Sequence, residues 1–154
     1  MNESVSIDSG FPAVPADLAE WVGAVRLTRI ALEATEGAKV PATYPTGRAG
    51  ETCPSRMLLT LLAYAYARGI SSSQDVEDAT ARLPDLRYLA SGDQPSASVL
   101  RRFRRQHWTE LLGVLARMLV AVTGVTTAAG RAGAELEAED RLVAAVQADS
   151  LASE

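Results

Sequence analysis

Apolar positions recur at helical spacing through most of the chain. Leu18, Trp21, Val22, Val25, Arg29 and Leu32 fall near one face, which predicts a first helix over about Pro15–Ala34 with Pro15 in its first turn. Residues 37–54 hold Gly37, Pro41, Pro45, Gly47, Gly50 and Pro54, so a linker or irregular loop is expected there. "PSRMLLTLLAYAYARG" is apolar nearly all round and stops at Gly69, the pattern of a bundle's central helix. "SSSQDVEDATARL" places Ser72 and Asp75 at capping-box spacing, with Val76, Ala79 and Leu83 on one side and Pro84 as the stop. "PDLRYLA" adds a turn or two, and "SGDQP" reads as a turn.

The longest pattern runs from Ser96 or Ser98, as cap, to Gly124. Leu100, Phe103, His107, Leu111, Val114, Met118 and Val122 form one stripe. Trp108, Leu112, Leu115 and Leu119 form a second stripe that needs cover of its own, either from the N-terminal helix with Trp21 and Val25 or from a second copy of the chain. The second copy is the favoured cover, and these four residues are the candidate dimer contact. A small-residue linker follows, then an acidic amphipathic helix over roughly 134–148. No strand alternation and no repeat stands out. The expected fold is therefore all-α, a small helical bundle with a helix-turn-helix-like unit. Three segments are expected: an N-terminal helical extension and linker (1–53), a helical domain (54–124), and a linker with an acidic helix (125–154).

Composition supports this reading: 47% hydrophobic residues can bury a core, while 5% aromatics and abundant alanine and leucine favour helices over a sheet. Cys53 and His107 are the single cysteine and histidine, so neither an internal disulfide nor a zinc cluster is expected, and a reducing cytoplasmic setting is the default. "MNESVSIDSG" has no secretory pattern. The apolar runs are too short for a clean membrane span, and Arg117 interrupts the second of them.

Charge changes the picture more. The net charge is −4, but residues 55–107 carry eight basic and five acidic side chains between two acidic flanks. The excess sits in "SASVLRRFRRQHW". On a helix, Arg101, Arg102, Arg104 and Arg105 share an arc of about 160° while Phe103 points the opposite way. No acidic residue lies four positions away within the cluster, and Glu110 is too far along to offset most of it. The plainer interpretation is a solvated helix face. The context argues for an anion partner: a capped helix, a short piece and turn, then a serine-started basic helix is the layout of a major-groove reader. Ser96, Ser98, Arg101, Arg102, Arg104, Arg105 and Gln106 are thus the candidate DNA-contacting set, the serines at the helix N-terminus and the arginines within reach of phosphate or guanine.

The stretch from Cys53 to Val125 resembles the N-terminal domain of InsH-like insertion-sequence transposases. The matching elements are Pro54, Met57, Leu58 and Leu59; then Tyr64, Gly69, Ile70, Ser71, Ser72 and Glu77. They continue through Arg87, Tyr88, Leu89, Gly92, Pro95 and Ser98 to Phe103, Arg104, Arg105 and His107. The resemblance implies a helical domain that binds double-stranded transposon-end DNA and helps assemble the transposase. Such transposases continue into a ribonuclease-H-like domain whose three carboxylates hold two divalent metals. Its Asp-Gly-Thr strand does not follow Val125 here, and Glu135, Glu137, Glu139 and Asp140 share one short helix, where a solvated face is expected. The chain by itself is therefore expected to be no enzyme and to need no cofactor. It would act as a split, truncated or regulatory transposase-derived protein, associated with the nucleoid and partnered by a separate catalytic subunit, not by a membrane. The alternative is a homodimerising helical interaction protein without nucleic acid. A third possibility, an intact enzyme, has only the tail carboxylates in its favour. His107 is expected to be a partly buried structural residue, Cys53 to lack a catalytic partner, and "YAYARG" to be core.

Overall fold

The computed structural model describes residues 10–47 and 49–152. Among them are eight helices: α1 (Ala19–Val22), α2 (Ala24–Ala34), α3 (Ser55–Ala67), α4 (Ser73–Arg82), α5 (Pro84–Leu89), α6 (Ala97–Gln106), α7 (Trp108–Thr123) and α8 (Ala128–Ala152). A two-stranded antiparallel hairpin, β1 (Thr43–Pro45) and β2 (Thr52–Pro54), separates α2 from α3. The fold is mainly α, as the periodicity predicts.

Helix α3 is the centre. Every residue from Met57 to Ala67 is buried, and α2, α5, α6, α7 and α8 all pack on it. Its all-round apolar sequence has no other stable placement, since each fully buried leucine contributes about 1.5–3 kcal/mol. One hydrophobic core runs from Leu18 to Ala145 and so draws on all three expected segments.

Four expectations are corrected. The N-terminal helix is two helices, because Gly23 adopts φ 84° and breaks the phase between them. The buried face of α2 is therefore Leu27, Ile30, Ala31 and Ala34, while Trp21 and Val25 are exposed. The loop at 37–54 contains the hairpin, whose pairing puts Tyr44 opposite Cys53, both side chains facing the core. Three residues per strand is too short for alternation to register in a sequence. The long helix expected from 96 to 124 breaks at His107 (φ −122°, ψ 39°), which ends α6 and starts α7. Finally, the tail helix begins at Ala128, earlier than expected, and packs along α7 and α3.

That last packing decides the second stripe. Leu115 and Leu119 are fully buried, and Trp108 and Leu112 are partly covered. Ala134, Ala138, Leu142 and Ala145 line the inner face of α8, their small side chains letting the two helices approach closely. Of the expected dimer contact, Leu115 and Leu119 are thus covered by α8 of the same chain, with α2 on the other side of α7, while Trp108 and Leu112 stay half-buried. Among the described residues no helix is long and apolar enough to cross a membrane.

Candidate nucleic-acid interface

Helix α6 carries the basic cluster, and its sequence fixes how it sits. The Ser96 hydroxyl accepts from the Val99 N–H at 3.2 Å and caps it. Ala97, Val99, Leu100 and Phe103 face the core. Ser98, Arg101, Arg102 and Arg105, at i, i+3, i+4 and i+7, make one stripe on the other side. Ser98 and Arg105 are exposed, Arg101 and Arg102 half-buried. Among the described residues no acidic side chain pairs with Arg101, Arg102 or Arg105.

Arg104 does not belong to that stripe. The expectation of four displayed guanidinium groups is corrected: Arg104 is only 6% exposed, its Nη1 lying 2.8 Å from Asp149 Oδ2 and 3.3 Å from the Tyr66 hydroxyl. The helical position next to Phe103 turns it inward, and a buried charge is tolerable only with such partners. Asp149 does more than pair. Its Oδ1 accepts from the Ser73 N–H and its Oδ2 from the Ser73 hydroxyl, both at 2.7 Å, so one carboxylate ties α8 to α6 and to the start of α4. Burial penalises the Arg104 charge, but Tyr66 and Asp149 more than offset it, so its pKa rises. Burial above all pushes the Tyr66 phenol up as well.

The helix N-terminus is arranged differently from the expectation. The Ala97 N–H donates to Glu77 Oε1 at 2.8 Å, so a carboxylate already occupies the place expected for phosphate. Glu51 and Asp93 line the adjoining cleft with Ser96. Ser96 is exposed but spends an oxygen lone pair on the cap; Ser98 is exposed on the basic stripe. The negative end of α6 is thus its start, and the positive end its last two turns.

Those turns meet the hairpin. Tyr44 packs edge-on against Phe103, ring centroids 5.1 Å apart. Its hydroxyl donates to Gln106 Oε1 at 2.7 Å and accepts from Arg102 Nε at 3.1 Å. The Arg102 guanidinium lies 5.2 Å from the centre of that ring, and its Nη2 donates to the Pro45 carbonyl at 2.6 Å. Of the candidate set, the structure brings Ser98, Arg101, Arg102, Arg105 and Gln106 together, holds Ser96 at the cap and takes Arg104 into the core. Sequence reasoning missed Tyr44, Glu77 and Asp149. Pairing partners 20 to 62 positions away leave no local trace.

The remaining candidates are structural. His107 is partly buried against Phe103, centroids 4.6 Å apart, with Glu110 at 3.9 Å. Cys53 is buried on β2, and burial, helped by Asp93, pushes its thiol up, which opposes nucleophilic use. Tyr64 and Tyr66 are core. On α8, Glu135, Glu139 and Asp140 are exposed and Glu137 pairs with Arg141 at 2.9 Å. Among the described residues no three His, Cys, Asp or Glu side chains group as metal ligands would.

A family model described as "Transposase domain (DUF772)" covers residues 25–106, from the start of α2 to the end of α6. No curated protein and no solved structure matches the chain. The match spans more than half of the 154 residues and takes in the central helix, the hairpin and the whole of the basic helix, whereas α7 and α8 lie beyond it. The chain belongs to the transposase domain family DUF772.

Proposed function

We propose that this chain binds double-stranded DNA sequence-specifically, at transposon ends, through α6. In this reading α4, α5 and α6 act as a helix-turn-helix-like unit, with α5 filling out the connection and α6 presented to the duplex. The observation that carries it is the stripe Ser98, Arg101, Arg102 and Arg105: a row of guanidinium groups on one helix face, without carboxylate partners among the described residues, on a helix whose other face is buried. Unpaired like charges repel. Phosphates at the spacing of a duplex backbone relieve that repulsion and release counterions. Membership of a transposase domain family supports DNA, and transposon ends in particular, as the polyanion.

The role proposed is binding, not strand cleavage, with a catalytic transposase subunit as partner. What supports this is the placing of the tail carboxylates along the outer side of one helix, where they cannot converge on a pair of metal ions. Homodimerisation through Leu115 and Leu119 has lost its support, because both are buried within the chain.

The test is fluorescence anisotropy with a duplex carrying whatever inverted repeat sequencing finds in the DNA beside the gene, against a scrambled duplex. Wild type should prefer the repeat by about 10³-fold or more. Arg101→Glu with Arg105→Glu should abolish binding at physiological salt without loss of helicity. Equal affinity of wild type and the double variant for the repeat would reject the reading.

A further inference from the structure

We infer that Tyr44 determines what the last turn of α6 reads, by locking Arg102 and Gln106 into one unit that offers DNA only hydrogen-bond donors. The inference rests on the DNA-binding reading of α6 and specifies its chemistry.

The lock follows from donor and acceptor identity. A guanidinium can only donate, so the Tyr44 oxygen must accept from Arg102 Nε. The single phenol proton is directed to the Gln106 amide oxygen, 2.7 Å away. The phenol itself cannot drift: Tyr44 is 4% exposed, paired across the hairpin with Cys53 and packed edge-on to Phe103. Hence the Gln106 oxygen is held toward the hairpin, and its exposed edge presents N–H groups.

This has a consequence for base recognition. A glutamine that reads adenine offers its oxygen and nitrogen side by side, to N6 and N7. With the oxygen held by Tyr44, that pairing is lost. Arg102 is restricted in the same sense. Its Nε and one Nη2 hydrogen are used on Tyr44 and Pro45, so the Nε–Nη2 edge is occupied and the Nη1–Nη2 edge is the one left to face DNA. What remains is the two Nη1 hydrogens and the second Nη2 hydrogen of Arg102 with the amide N–H groups of Gln106, all donors. Their matching partners are acceptors: guanine O6 or N7, or a phosphate oxygen. The opposite end of α6, with Glu77, Glu51 and Asp93 around it, repels phosphate, which places the contact at this end.

The experiment is site selection from a randomised duplex pool, followed by anisotropy on the selected duplexes, with the full chain as wild type, Tyr44→Phe and Gln106→Ala. Phenylalanine keeps the ring packing, so circular dichroism and the thermal midpoint should match wild type. If the acceptor is a base, Tyr44→Phe should admit adenine at one position where wild type selects guanine, and Gln106→Ala should lose the preference there. If it is a phosphate, the consensus stays and Tyr44→Phe weakens binding to every duplex by about threefold to tenfold, the loss of one ordinary hydrogen bond's worth of ordering. Either result supports the lock. A Tyr44→Phe variant with wild-type consensus and affinity would overturn it, as would a wild-type consensus adenine that Gln106→Ala abolishes. Absence of duplex binding by wild type would overturn the DNA-binding reading itself, and this inference with it.

Discussion

Replacing Asp149 by alanine should destabilise the protein far more than its place near the end of an acidic helix suggests. The carboxylate is 7% exposed and accepts, among the described residues, from Arg104 Nη1 at 2.8 Å, the Ser73 N–H at 2.7 Å and the Ser73 hydroxyl at 2.7 Å. Its removal leaves the buried Arg104 guanidinium with the Tyr66 hydroxyl as its partner among the described residues, and the Ser73 N–H in the first turn of α4 without its acceptor. Breaking a buried pair by deleting one partner costs about 3–5 kcal/mol, most of it the stranded charge. With a urea dependence of about 2 kcal/mol per molar, the unfolding midpoint should fall by about 1.5–2.5 M. The double variant Arg104→Met with Asp149→Leu separates the causes. It removes both charges and should recover most of the loss, since apolar replacements of a buried pair are often neutral. Urea unfolding followed by far-ultraviolet circular dichroism measures both. An Asp149→Ala loss below about 1 kcal/mol, the range of exposed pairs, would refute the claim that this carboxylate clamps α8 onto α4 and α6.

Three further outcomes are expected. Leu119→Glu places a charge in the fully buried α7 face and should unfold the chain, whereas Leu112→Glu, at the partly open edge of the α7–α8 groove, should leave it folded; thermal melts distinguish the two. Arg141→Ala removes donors to the carbonyls of Pro15, Ala16, Tyr66 and Ala67 and should cost about 1.5–3 kcal/mol by urea unfolding; no loss would mean that α3 ends without this cap. Burial holds the Tyr64 and Tyr66 phenols neutral well above a tyrosine's ordinary range. A pKa raised by folding contributes stability below the unfolded value of about 10 and loses it as pH rises beyond, because the folded state then binds more protons than the unfolded. Their phenolate absorbance should therefore appear only with alkaline unfolding. Its appearance in a folded chain near that value, identified with Tyr64→Phe and Tyr66→Phe, would contradict this.

The parts legible in the sequence are those with a local cause. The central helix is apolar on every side, Ser72 and Ser96 cap the helices that follow them, and Gly69 ends α3, all readable within one or two turns. The position of Leu18 in the core was readable too, but not the face of α2, since one left-handed glycine resets the helical phase. The alanines at 134, 138 and 145 do not announce a packing face because alanine carries little hydrophobic signal, yet its small size is what lets α8 lie close on α7. Arginine number 104 was the most misleading residue. Its wheel position beside Phe103 allows either fate, and the partner that decides it stands 45 positions away, in a tail that reads as merely acidic. The same holds for Tyr44, whose partners Arg102 and Gln106 are joined to it only by the fold.

The central claim, that three arginines on one face of α6 meet phosphates, is tested most directly by the salt dependence of duplex binding. Log K against log salt should have a slope of about −3 for wild type, and of about −1 once Arg101→Gln and Arg105→Gln remove two of the three charges. The folded variant must show this change beside an unaltered circular dichroism spectrum. A slope that is the same in wild type and variant would contradict the account and assign the basic stripe to solvent.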